Sequence, residues 1–259
     1  MRLDKLLAEL TGMTRSKARE VIQGGRVCVD GEVKTVIAEQ VNEDTVCVTL
    51  DGQALVFHKY VYYMLNKPAG TVSATQDRSD KTVVGLLSEA DRKRRNLFPV
   101  GRLDKDTEGL LLITDDGALS HRMLSPKSHV DKLYFAKLAR EITEEDIALF
   151  ASGMRVDGEL TALPAALRKL TPEEAEEFLP DGGVAAAVTL QEGKFHQVKR
   201  MFAATGNEVL YLKRMAVGGV RLDRSLSPGA YRELTKEEVS CLMADAGMPE
   251  GEMKSDVDK

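Results

Sequence analysis

Two short apolar runs, residues 97–100 and 110–113, stand on either side of a densely charged loop, and this pattern constrains the fold more than any other stretch. Their length, with Gly101 and Gly109 beside them, reads as strands rather than helices. A loop anchored in core at both ends is held still, so a carboxylate on it is better positioned than one on a free surface loop. The loop, Arg102-Leu103-Asp104-Lys105-Asp106-Thr107-Glu108, is crowded with both signs of charge. Aspartates that only make a turn, with Arg102 in an ion pair to Asp106 or Glu108, are the ordinary alternative, and the loop by itself does not separate the two readings.

The wider pattern extends the sheet. Residues 60–65, 132–139, 184–190 and 209–215 also read as strands, and 82–87, 118–124, 144–151, 172–178 and 197–205 as helices. Runs of strands with scattered helices predict an α+β domain on a mixed or antiparallel sheet with flanking helices, not a strict βαβ alternation. Residues 1–50 read as a separate small α/β module. Leu3, Leu6, Leu7 and Leu10 form a helical stripe, Thr14 caps a second helix, and Gly24-Gly25 stops it. Residues 26–29 and 45–48 read as short strands, with a turn at Asp30-Gly31. The polar stretch 51–59 is expected to be a linker, 60–245 the second domain, and 246–259 a frayed acidic tail.

Several function classes find no support. Cys28, Cys47 and Cys241 are widely spaced, His58, His121, His129 and His196 lack ligand spacing, and no HExxH, GxxxxGK[ST] or GxGxxG pattern occurs. No metal and no nucleotide or other cofactor is expected. The first residues carry Arg2, Asp4, Lys5 and Glu9 where a signal peptide needs an unbroken apolar run, so no membrane association and a cytoplasmic location are expected. The net charge of −5 hides clustered cations: Arg15, Lys17, Arg19 and Arg26; residues 92–95 with Arg102 and Lys105; and Lys194, Lys199, Arg200, Lys213 and Arg214. Clustering, not net charge, is what a polyanion recognises.

The loop motif GRLDxDTxGLL, followed by Thr114-Asp115-Asp116-Gly117 and Ser120-His121-Arg122, resembles the signature of the RsuA-type pseudouridine synthases. Asn66-Lys67-Pro68-x-Gly70, Glu192 to Phe202 and Gly218-Gly219-Val220-x-Leu222-Asp223 extend the resemblance, and Arg2-Leu3-Asp4-Lys5, Ser16-Lys17-Ala18 and Gly25-Arg26-Val27-x-Val29-Asp30-Gly31 resemble the S4 RNA-binding domain. The resemblance implies an enzyme that breaks the bond from ribose C1′ to uracil N1, turns the base, and rejoins it through C5. It implies that Asp104 is the essential carboxylate, by attack at C1′ or by proton abstraction from C2′. It implies that Tyr134 stacks on uracil, that Lys199 pairs with Asp104, and that Arg102 enters the space left by the flipped uridine. His196, Gln197 and Arg200 join Arg102, Arg15, Lys17, Arg19 and Arg26 as expected RNA-binding residues. Asp106 is expected to project beside Asp104 if the segment is extended, and to structure the loop by accepting backbone N–H groups.

The implied partner is ribosomal RNA within a small-subunit assembly intermediate, met by a monomer, and the implied target is the uridine at position 516 of 16S RNA. The Phe-His-Gln-Val-Lys-Arg-Met-Phe variant favours this branch over synthases of 23S RNA. A non-catalytic ribosome-assembly factor is the rival of another class, disfavoured because Asp104, Tyr134 and Lys199 are all present. A nucleoside hydrolase is a third, and this sequence lacks the aspartate-rich calcium site that its chemistry would favour.

Overall fold

The computed structural model describes residues 1–42, 46–55, 60–179 and 181–248, which fall into two compact units, one within Met1–Val61 and one within Tyr62–Glu250. No helix among the described residues is long and apolar enough to cross a membrane.

The first unit packs two helices on a small antiparallel sheet. Helix α1 (Leu3–Thr11) buries Leu3, Leu6 and Leu7 completely and ends at Gly12, whose positive φ of 70° lets its N–H reach back to Ala8. Helix α2 (Arg15–Gln23) starts where the Thr14 side chain accepts the Lys17 N–H. Ala18, Val21 and Ile22 complete the core against β1 (Val27–Val29) and β3 (Val48–Leu50). Strands β2 (Glu32–Lys34) and β4 (Gln53–Leu55) flank them in the order β2-β1-β3-β4.

Both hairpins use the same turn. Asp30-Gly31 and Asp51-Gly52 all have positive φ, between 51° and 82°, the conformation that matches the twist of two paired strands. This corrects the expected linker at 51–59: its first half is the second hairpin and strand β4, and residues 56–59 lie outside the described residues. The strand expected at 45–48 instead begins at Val48, paired with Val29. Residue 45 also lies outside the described residues.

The charged groups of this unit converge. Asp4 is fully buried, and Arg2, Arg15 and Arg19 all reach it at 3.0–3.2 Å. Burial pushes the Asp4 carboxyl up, but hydrogen bonds from Arg19, Arg2 and Arg15 outweigh it and hold the group at about 2. A carboxylate depressed from 3.8 to about 2 stabilises the fold fully above the higher value, and the benefit is lost as pH falls through the lower one. Thermal melts of wild type and Asp4→Asn should therefore differ clearly at neutral pH and converge between about pH 4 and 2. A gap unchanged down to pH 2 would remove the network from the account.

The second unit is built on a mixed sheet. Its strands are β5 (Tyr62–Lys67), β6 (Phe98–Pro99), β7 (Glu108–Thr114), β8 (Lys132–Leu138), β11 (Ala166–Lys169), β12 (Val184–Leu190), β13 (Val209–Val217), β14 (Val220–Arg221) and β15 (Tyr231–Glu233). They run in the order β11-β12-β8-β13-β7-β5-β15, with β14 beside β13 and β6 beside β7. Among these named strands β13 and β7 alone pair in parallel. A separate small ribbon joins β9 (Met154–Arg155) to β10 (Thr161–Ala162).

The helices are α3 (Glu89–Arg94), α4 (Gly117–Leu124), α5 (Glu144–Ser152), α6 (Pro172–Phe178), α7 (Gln197–Ala204) and α8 (Lys236–Asp245), with single 3-10 turns at Val84–Leu86 and Pro126–Ser128. Helices α5, α6 and α8 each begin with a reciprocal cap, Thr143 with Asp146, Thr171 with Glu174 and Thr235 with Glu238. On one face of the sheet Met64, Leu110, Leu112 and Val217 pack against Leu119 and Met123 of α4 and Leu242 of α8. The helix expected at 82–87 is reduced to the 3-10 turn. The expected tail is corrected at its start, because Ala246 and Met248 are buried in this core, and residues 249–259 lie outside the described residues.

One glycine sets the spacing beneath the charged loop. Gly109 has φ of 100°, and a Cβ there would lie 2.2 Å from the Arg214 carbonyl oxygen. Its absence lets β13 approach β7 in the register Arg214↔Gly109 and brings Arg214 under the loop.

Candidate active site

Asp104 follows β6 on the charged loop, and the backbone on both sides of it is tied down. Before it, Ser73 Oγ donates to the Leu103 carbonyl at 2.8 Å and accepts the Leu103 N–H at 3.0 Å. After it, Thr107 N–H closes a turn onto the Asp104 carbonyl at 3.1 Å, and Gly70 N–H binds the Lys105 carbonyl at 2.8 Å. Beneath lies Lys67, fully buried at the end of β5, whose Nζ donates to the carbonyls of Pro68, Lys105 and Thr107 at 3.1, 3.2 and 2.8 Å. Burial pulls the Lys67 ammonium down to about 8, and the nearby charges of Asp106, Glu108 and Asp104 resist that pull.

Lys67 thus spends two donors on the loop and the third on the neighbouring Pro68 carbonyl. Lys67→Met leaves buried carbonyls without their donor, at a cost of about 1–3 kcal/mol. We expect a lower melting temperature, and turnover falling further than RNA affinity because the loop loosens. Equal melting and turnover would show that the loop holds itself.

The Asp104 carboxylate faces a pocket lined by Arg102, Thr107, Tyr134, His196 and Leu212. Tyr134 sits on β8 and is largely buried; its hydroxyl accepts from Arg214 Nη1 at 3.4 Å, and that guanidinium lies 6.0 Å from the ring centroid. Arg214 is buried too, and its Nε donates to the Leu110 carbonyl at 2.7 Å. His196 caps α7 with a left-handed φ of 50° and places Nε2 3.6 Å from Asp104 Oδ1.

Lys199 departs from expectation. Its Nζ holds both oxygens of Asp106, at 2.6 and 2.7 Å, and no lysine or arginine among the described residues lies within ion-pair distance of Asp104. The turn closed by Thr107 is the reason: residues 104–107 are not extended, so the two aspartates meet different side chains, Asp104 the imidazole and Asp106 the ammonium. Lys199 holds the Asp106 carboxyl below the usual carboxylate range. The expected side-by-side projection of Asp104 and Asp106 is corrected by the same turn, and the Asp106 side chain takes Lys199 as its main partner with its own backbone N–H as a lesser one.

Residues 61–204 match the RNA pseudouridylate synthase family, and residues 1–47 match the S4 domain. The chain belongs to the RNA pseudouridylate synthase family. It is 45% identical over 93% of its length to 98% of an uncharacterized RNA pseudouridine synthase, YtzG, of Bacillus subtilis (strain 168). It is 42% identical over 93% of its length to 99% of the ribosomal small subunit pseudouridine synthase A of Salmonella typhimurium. A crystal structure of a pseudouridylate synthase, 37% identical, matches 93% of this chain and 99% of its own with a TM-score of 0.62.

In this synthase the remaining cations fall into two groups. Arg102 is exposed at the pocket and forms no ion pair among the described residues, because Asp106 is taken by Lys199 and Glu108 accepts from the Tyr211 hydroxyl at 2.6 Å. Arg15 and Arg19 share Asp4 with Arg2, three cations on one anion, and keep about half of their side-chain surface exposed. The others are spoken for within the protein: Lys17 by Glu20, Arg26 by Asp51, and Arg200 by Asp157 and the Phe195 carbonyl. Gln197 is buried, accepts the Lys194 N–H and donates to Glu192, so it shapes the loop before α7 rather than offering a free polar end.

Sequence reasoning missed the roles of Ser73 and Arg214 and assigned none to Lys67. A lysine closing a strand whose first four residues are apolar or aromatic, Tyr62–Lys67, is the signal that was available for the last of these.

Proposed function

We propose that this synthase converts a uridine of 16S ribosomal RNA, the one at position 516, to pseudouridine, with Asp104 as the reacting carboxylate. The observation that carries the reading is the pinned Asp104 on the wall of a pocket whose other wall is Tyr134. The small-subunit target is supported by 41–45% identity along nearly the whole chain to relatives that include several named ribosomal small subunit pseudouridine synthase A.

The chemistry follows from the parts. A uridine must leave its stack before C1′ is accessible, at a cost of a few kcal/mol. Arg102, exposed and unpaired at the pocket, is placed to occupy the vacated space. Tyr134, held from behind by Arg214, offers its ring to the extruded uracil. Asp104 then either attacks C1′ or takes the C2′ proton, and the pocket retains the detached base while it turns. The surplus charge of Arg2, Arg15 and Arg19 over Asp4 contacts phosphates without reading bases, which suits a targeting module.

The test is to map pseudouridine in ribosomal RNA from cells with and without this protein. Loss of one pseudouridine in 16S RNA is the expected outcome. A loss confined to 23S RNA moves the target, and no loss anywhere, with RNA binding intact, favours the assembly factor.

A further inference from the structure

Phe195 is the one phenylalanine or tyrosine exposed to solvent among the described residues, at 70%, and the most exposed of the large apolar side chains. Its ring lies on the His196 imidazole with centroids 3.8 Å apart and planes inclined by 18°. The imidazole in turn stands 3.6 Å from Asp104. Phe195 therefore has one face on a residue of the pocket and the other in solvent, one ring's thickness away from the wall that holds Asp104.

The stack is built rather than loose. His196 is one of four non-glycine residues among those described with positive φ, a conformation that costs energy and persists only when its surroundings impose it. The Phe195 carbonyl accepts from Arg200 Nη1 at 3.3 Å, and Arg200 is fixed by Asp157. Lys194 is tied to Gln197 through two hydrogen bonds and to the Thr161 carbonyl through its ammonium. A large apolar ring held rigidly in water has lost its hydrophobic stabilisation without the compensation of mobility.

We propose that the outer face of Phe195 is a stacking platform for the unpaired nucleobase next to the reacting uridine, and that it contributes to choosing the RNA site. The inference rests on the proposed pseudouridine chemistry at Asp104. Tyr134, inside the pocket, is the surface for the uracil itself. Phe195 is outside the pocket lining, so its ligand is a different base. The ring plane suits any nucleobase, and the neighbouring Lys194 ammonium is already held by Glu192 at 2.7 Å and by the Thr161 carbonyl, so stacking on the ring is the contact the platform offers.

The experiment uses a 16S RNA fragment around the proposed uridine with 2-aminopurine placed on its 5′ or 3′ side, bound to full-length Asp104→Asn so that no turnover occurs. Stacking on Phe195 should quench the fluorescence at one of the two positions. Phe195→Ala in the same background should abolish that quench, and Phe195→Tyr should retain it. In the active enzyme Phe195→Ala should lower kcat/KM about tenfold or more, mainly through KM, with Phe195→Tyr near wild type. A quench that survives Phe195→Ala, or a KM that does not change, overturns the platform and leaves a protein partner as the occupant of that face. Absence of pseudouridine formation by the wild-type enzyme defeats the functional reading instead, and the binding arm still decides the platform.

Discussion

Asp104→Asn should retain less than one percent of wild-type pseudouridine formation, a loss of at least about 2.7 kcal/mol in transition-state stabilisation, while folding and binding RNA as wild type does. Among the described residues the His196 imidazole at 3.6 Å is the one ionisable neighbour within ion-pair distance of the carboxylate, and no hydrogen bond to the carboxylate holds the fold together. Its loop is fixed instead through the backbone, by Ser73, Gly70, Thr107 and Lys67, and all of those bonds survive the substitution. Asparagine keeps the shape and removes the charge, so a loss confined to turnover assigns the chemistry to the ionised carboxylate. Asp106→Asn is the control. Its side chain is 71% exposed and its partner is Lys199, so it gives up a surface ion pair and should cost less than tenfold. Equal losses at the two positions would give both carboxylates a part in the chemistry.

Removal of residues 1–61 should leave a folded second unit that binds its ribosomal substrate much more weakly and with a flatter salt dependence. The cut belongs there and not at residue 50, because β4 at Gln53–Leu55 completes the sheet of the first unit. Every phosphate that the truncated protein no longer neutralises should flatten the log–log salt slope by about one unit. Titrating both proteins against one RNA at several salt concentrations therefore reads how many phosphates the first unit neutralises. Arg15→Ala with Arg19→Ala should reproduce part of the change, since these two carry charge beyond what Asp4 neutralises, whereas Lys17→Ala should do little because Glu20 already holds it. Matching affinity and slope in full-length and truncated protein would mean that the first unit does not bind RNA.

The parts of the fold legible in the sequence are those with local causes. Helix α6 and strand β12 lie where the sequence predicted them, residue for residue, because a Thr-Pro cap with a reciprocal Glu174 starts one and a continuous small-apolar run makes the other. The Asp-Gly turn at 30–31 was legible for the same reason. Its twin at 51–52 carried the same signal but was absorbed into a polar stretch, and helix α8 was missed although Thr235 and Glu238 announce its start. Strands of two or three residues, such as β9, β10 and β14, are too short to have a period of their own and exist only because a partner strand lies beside them.

At the site, the sequence alone determined the inventory: a carboxylate on a loop between two buried strands, a tyrosine in a strand, and cations clustered ahead of a helix. Only the tertiary structure decided who meets whom. Arg214 reaches Tyr134 across 80 positions of chain, Lys67 reaches Thr107 across 40, and Lys199 reaches Asp106 across 93. The partner of Asp104 turned on a single hydrogen bond, Thr107 N–H to the Asp104 carbonyl, which bends the loop and points its two aspartates at different residues of α7 and its cap. Propensity and patterning are sums over near neighbours and are written along the chain. An ion pair depends on distance in space, and the strand register that sets it emerges only when the whole sheet has closed.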